Sequence, residues 1–291
     1  MLERLRSVVG SALLALTVLA AIAAADDSSP PRLEDVLAEA GRYVSRLEEQ
    51  LAVLVAQETY AQSFIGRDGS ARHRRSLASD VAWVPTGDAM VWAFFRDVRE
   101  VDGAAVRDRE ARLEQLFPSG LTLAGQERAQ QILEESSRYN LGRHRTVNSP
   151  TVALSFLHPR NRARFAYRLV GQDEKERVAT WKLRFAERER PTLTKTSRGE
   201  DVPARGLLWI EPERGVLVAS RLEMSPRGLG PVLIEAVYAP DERLGVWLPR
   251  EMREVYGNRS RAAGEERVEA VARYTAWRRA QVEVQFVVPA P

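Results

Sequence analysis

The chain has 291 residues, 43 of them Lys or Arg and 40 Asp or Glu, for a formal charge of +3. So even a balance excludes a dedicated nucleic-acid binder, whose basic residues would dominate one face. There is no cysteine, which removes disulfides and any lipid-anchored N-terminal cysteine, and the length is enough for one large β domain or two small ones to bury a full core.

The first 25 residues have the layout of a cleavable secretory signal. Arg4 and Arg6 give a basic start, Val8 to Ile22 is an uncharged apolar run, and Ala23-Ala24-Ala25 is a small-residue site before a polar stretch. The run is shorter than the roughly 20 apolar residues of a spanning helix. Residues 26–291 are therefore expected as one exported domain, periplasmic or secreted, that does not span a membrane. Its charge stays at about +2. Lys175, Lys182 and Lys195 are its only lysines, and every other basic residue is arginine, a codon-bias pattern that says nothing about function.

Leu33, Val36, Leu37, Ala40, Val44, Leu47 and Leu51 recur at spacings of three and four, which predicts an amphipathic helix over 33–52. Alternation begins near Val53 and runs through Val55 and Tyr60. In 75–85, Leu77, Val81 and Trp83 share one face. Residues 90–95 are apolar on both faces, as in a strand covered on both sides, and Asp102-Gly103 is a turn.

Residues 103–160 read as a helical insert without a core of its own. Helices are expected from Asp108 to Phe117, from a Thr122 cap to Arg138, and from a Ser149 N-cap with Pro150 at the first position to Leu157. After 161 come short strands: 163–169, 179–185, 206–211, 216–224, 232–239, 244–256, 267–279 and 282–288. Turn signals such as Pro212-Glu213-Arg214-Gly215 separate several of them, and 188–205 is expected as a mobile loop. Many short strands with close turns predict an antiparallel sheet curved as a barrel or sandwich.

Catalytic signatures are absent. Gly-x-Ser-x-Gly and the Gly-rich phosphate loops do not occur. His73, His144 and His158 have no Cys, Asp or Glu at metal-ligand spacing. Glu48-Glu49 and Glu134-Glu135 lie on helices, where neighbours point about 100° apart. Asn258-Arg259-Ser260 matches a glycosylation sequon. No enzyme activity, metal or cofactor is expected. The aromatic residues instead fall on strands, where they build either an ordinary core or the lining of an apolar cavity.

Gly206-Leu207-Leu208-Trp209-Ile210-Glu211-Pro212-Glu213-Arg214-Gly215, then Val232 to Tyr238, then Leu248-Pro249-Arg250 give the strand and turn order of a known group. The chain resembles the LolA/LolB/RseB periplasmic lipoprotein-carrier-like folds, best over 205–280. It is also similar to exported bacterial proteins with the same leader, Asp102-Gly103 turn and Arg107-Asp108-Arg109-Glu110 run. The resemblance implies an α+β, mostly β fold: a curved antiparallel half-barrel wrapped on the N-terminal helix, with the insert as a departure.

It also implies a carrier or sensor of lipid, acylated protein or another apolar ligand on the concave face. The alternative is a regulatory module of the RseB kind that binds a membrane protein's periplasmic segment. Alternation with basic residues turns Phe165, Tyr167, Trp181 and Phe185 inward. Trp92 and Phe94 share a face, and Trp209 joins them through the family likeness of its strand. These seven are the expected ligand-lining residues, with the insert as a lid. No lid arginine can be matched.

Overall fold

The computed structural model describes residues 31–85, 92–116, 126–142, 145, 147–196, 198–227, 230–257 and 266–280. The leader, Thr122, His144, the sequon and 282–288 lie outside them. The chain divides into two compact units at Arg32/Leu33, and the second holds every helix and strand named here.

Helix α1 (Leu33–Leu51) is followed by β1 (Leu54–Ile65), β2 (Ala71–Pro85), β3 (Trp92–Val101) and β4 (Ala104–Ala105). The helical stretch holds α2 (Arg109–Leu116), α3 (Gln126–Ser137), α4 (Val152–Leu157) and α5 (Pro159–Arg162). Then come β5 (Phe165–Lys175), β6 (Val178–Glu187), β7 (Arg205–Glu211), β8 (Val216–Met224), β9 (Val232–Asp241), β10 (Val246–Tyr256) and β11 (Arg267–Arg279). The strands form an 11-stranded antiparallel sheet, order β4-β3-β2-β1-β11-β10-β9-β8-β7-β6-β5, which does not close into a barrel. This is the mostly β, open antiparallel architecture expected from sequence.

Alternation decides the faces. Leu54, Ala56, Tyr60, Leu77, Val81 and Trp83 join the α1 stripe of Val36, Ala40, Val44, Leu47 and Leu51 in the main core, so α1 lies on the sheet's inner face. The helix is pinned at mid-length. The Tyr43 hydroxyl accepts from Trp247 N–H (3.2 Å) and donates to the Trp247 carbonyl (3.3 Å), which satisfies an otherwise broken ladder position. At its start, Gly215 in the β7–β8 turn has φ +66°, and an added Cβ would lie 2.3 Å from Ala40 N. Only glycine lets that turn touch the helix backbone.

Strand β3 is covered on both faces, as its continuous apolar run predicts. Phe94 joins the main core, while Ala93 and Phe95 pack with Ile132, Leu113 and Leu116. Where β4 stops, α3 takes over the open edge. Ser136 Oγ accepts from Arg96 N–H (3.1 Å) and donates to the Phe94 carbonyl (3.0 Å), so no bare ladder is left there. The opposite edge, β5, carries the exposed Leu169 and Val170, set beside a bulge and the exposed charges Arg168, Asp173 and Glu174.

Helix α4 begins two residues later than its sequence signals suggest. Thr151 is the N-cap, and Ser149 Oγ accepts from Thr151 N–H instead of capping a turn. Tertiary bonds explain the delay: Tyr238 donates to the Pro150 carbonyl (2.6 Å) and Trp83 Nε1 to Thr151 Oγ1 (2.8 Å). The 188–205 stretch is a loop as expected, but a tethered one. Thr192 N–H donates to Asp201 (2.9 Å), Leu193 N–H to Glu187 (2.8 Å), and Val202 and Ala204 are buried.

Candidate functional site

The aromatic residues singled out from sequence fall into three places. Phe165, Tyr167, Trp181 and Phe185 face inward, as alternation requires. They do not surround open space, because Phe156 of α4 sits among them, with ring centroids 4.8 Å from Phe165 and 5.4 Å from Phe185. The Tyr167 hydroxyl donates to the Phe156 carbonyl (2.7 Å), and burial raises its pKa. Trp181 is buried in the same core.

Trp209 lies on the other face of the sheet. Its indole N–H donates to Asp173 (3.0 Å), and the ammonium groups of Lys175 and Lys182 stand over its ring at 5.2 and 5.4 Å. The reason is register. Trp181 pairs with Ile210 and Lys182 with Trp209, so Ile210 takes the inward position and Trp209 shares the outward one with Lys182. Trp92 opens β3 opposite Pro85, and its side chain lies outside the described part.

Phe94 does line open space. A cleft of about 240 Å³ lies between α1, α4 and the β2–β3 strands. Its apolar wall is built from Val44, Leu47, Leu51, Trp83, Phe94, Val152, Leu154 and Phe156, and its polar rim includes Glu48, Ser149, Thr151 and Lys195. Sequence reading missed α4's share of this wall. It put Trp83 on the correct face but gave it no role. Trp83 stacks on Trp277 (5.4 Å between centroids, planes 18° apart) and tilts against Phe94 (5.3 Å), which makes that wall rigid.

At the rim, His158 caps α5. Its Nδ1 accepts from Arg160 N–H (3.2 Å), so Nε2 carries the proton and points at Glu48, 3.2 Å away. This joins α1 to the start of α5. His73 is exposed.

Behind Phe94 the inner face turns ionic. Arg96 binds both carboxylate oxygens of Glu58, Nε at 2.5 Å and Nη2 at 2.9 Å, with both side chains fully buried. Its guanidinium also lies 4.4 Å from the Tyr60 ring and 5.3 Å from the Phe94 ring. Tyr60 donates to Glu254 (2.5 Å), as does Tyr256 (2.9 Å). Arg145 covers the group from the insert, donating to Gln62 and standing 3.8 Å from Glu254. Asn148, with its amide turned to satisfy both ends, accepts from Arg96 Nη1 (2.8 Å) and donates to the Arg145 carbonyl (3.2 Å).

Burial works to discharge Arg96, but the Glu58 carboxylate outweighs it and the pKa is raised. Burial first, then the Glu254 charge, raises Tyr60 and Tyr256; Tyr274 rises by burial, then Glu58. These groups therefore hold fixed charges and neutral phenols at neutral pH. They brace the sheet and offer no titrating acid or base beside the cleft. Among the described residues no group of His, Asp or Glu is arranged to hold a metal, and no helix is long and apolar enough to cross a membrane.

No family model matches this chain, and no curated protein sequence matches it. Solved structures do. A LolA superfamily protein from Nitrosomonas europaea aligns over 87% of this chain and 96% of its own, at 9% identity and a TM-score of 0.41. A DUF1329 family protein from Desulfovibrio piger aligns over 86% and 95%, at 11% identity and 0.38. A domain from Vibrio parahaemolyticus described as outer membrane lipoprotein-sorting aligns over 85% and 95%, at 8% identity and 0.36. At these TM-scores no role passes from them to this chain. The solved structures it resembles are those of the lipoprotein-carrier-like group that the Gly206–Gly215 and Leu248–Arg250 segments pointed to.

Proposed function

We propose that this chain is an exported, non-enzymatic carrier or sensor that takes a single acyl chain into the cleft between α1, α4 and β2–β3. The observation that carries the reading is the cleft itself: an apolar wall of Leu47, Leu51, Trp83, Phe94, Leu154 and Phe156 beneath a polar rim. Apolar pockets with a few placed polar groups are the usual form of a small-molecule site. At about 240 Å³ the space falls below the roughly 300–1,000 Å³ of a drug-sized ligand. It suits one hydrocarbon chain rather than a whole phospholipid.

Lys195, exposed at the rim, is the group to meet a carboxylate or other anionic head. The leader-like residues 1–25 place the carrier in the periplasm or outside the cell, with a lipid or an acylated protein as its cargo. A medium-chain fatty acid should then bind saturably in calorimetric titration. Lys195→Glu should weaken it about tenfold, the equivalent of roughly 1.4 kcal/mol, while leaving the melting temperature unchanged. Absence of saturable binding to the folded chain would overturn the proposal.

A further inference from the structure

The sheet ends close to the cleft. β11 stops at Arg279, paired with Leu54, and Ala280 N–H donates to the Val53 carbonyl (2.8 Å). Val53 is two residues beyond Leu51, which lines the cleft, and is 42% exposed. Three residues before the exit, Trp277 stacks on Trp83 of the cleft wall. The chain therefore leaves the sheet at the α1–β1 junction, beside the cleft's own residues.

Past Gln281 the chain reads Val282-Glu283-Val284-Gln285-Phe286-Val287-Val288. In extended form Val282, Val284, Phe286 and Val288 share one face, an apolar ridge with a single charged residue, Glu283, on the opposite face. β11 already has both neighbours, β1 and β10, so this segment does not find its partner by continuing that strand's pairing. Starting two residues past Ala280 and advancing about 3.3–3.6 Å per residue, it has ample length to lie along the cleft. A cleft of this size also suits a side chain such as Phe286 as well as it suits an acyl chain.

We infer that residues 282–288 are the resting occupant of the cleft, with Phe286 and its apolar neighbours against the α4 wall, and that the ligand must displace them. The inference rests on the acyl-binding reading only for the identity of the displacing ligand. Occupancy by the chain's own terminus is a separate claim about the same space. It makes the carrier self-closing: an empty cleft is never presented to water, and affinity for cargo is set by competition with a tethered segment at high effective concentration.

The absence of native cysteine gives a direct test in the full chain. Val152→Cys with Phe286→Cys should form a disulfide under mild oxidation. Val170→Cys on the exposed β5 edge with Phe286→Cys should not. In the otherwise native chain, Val284→Asp with Phe286→Asp should tighten binding of a fluorescent fatty acid about tenfold.

A cleft cross-link with no fatty-acid binding by either chain would keep the self-occupancy and remove the acyl cargo. Equal fatty-acid affinity in both chains, with no cleft cross-link, would overturn the self-occupancy and leave the carrier standing. Cross-linking to Val170→Cys in place of Val152→Cys would also overturn it, by placing the segment on the sheet edge.

Discussion

Arg96 and Glu58 face each other on adjacent inward positions of the sheet, bonded through two nitrogens and two oxygens, with neither side chain exposed to solvent. A pair this deep resists removal of one member more than of both, because a lone buried charge has no compensation. Arg96→Met or Glu58→Gln alone should cost about 3–5 kcal/mol in urea unfolding, whereas Arg96→Met with Glu58→Leu should recover most of the loss. Equal or additive losses in the double-mutant cycle would show that the two side chains act independently.

Buried phenols make the fold sensitive to alkali. Burial pushes the Tyr43 hydroxyl up to about 12 from its ordinary 10.0, and burial likewise raises Tyr60, Tyr167, Tyr238, Tyr256 and Tyr274. The folded state holds these protons more tightly than the unfolded chain. Their contribution is therefore complete below pH 10 and, for Tyr43, is lost between 10 and about 12. Urea midpoints should fall steeply above pH 10, and phenolate absorbance should appear with unfolding rather than ahead of it. Phenolate forming in the intact fold near pH 10 would contradict the burial.

Gly215 and Gly103 separate contact from conformation. Both have positive φ, +66° and +81°, but only at Gly215 would a Cβ meet backbone, that of Glu39 and Ala40. Gly103→Ala should cost about 1–2 kcal/mol for the left-handed conformation alone. Gly215→Ala should cost more, by a further 1–3 kcal/mol of overpacking, and should raise hydrogen exchange in α1. Equal costs would mean that the β7–β8 turn does not support the helix.

Much of this architecture is legible in the sequence because period and punctuation act locally. The α1 stripe, the strand order after 161, the doubly covered β3 and the Asp102-Gly103 turn all come from patterns a few residues long. What is not legible depends on register and on distant partners. Trp209 alternates like an inward residue, yet its pairing with Lys182 puts it outside. Glu58, Gln62 and Arg96 look like ordinary solvent-facing polar residues, and they are buried only because strands distant in sequence present matching charges.

The site was legible in part. Phe94 lines the cleft, whereas Phe165 and Phe185 turn inward only to pack on Phe156. Periodicity tells which way a side chain points, but not whether another element fills the space in front of it.

The central claim is that the α1–α4–β3 cleft, and not the Phe156 cluster, receives the ligand. Titration of a fluorescent fatty acid into two variants decides it. Val152→Trp fills the cleft from a half-buried position, and should keep the melting temperature within a few degrees while reducing affinity at least tenfold. Phe165→Gln strikes the packed cluster, and should destabilise by several kcal/mol while its folded fraction binds the probe with native affinity. Native affinity in Val152→Trp, or a stable Phe165→Gln that has lost the probe, would contradict the assignment.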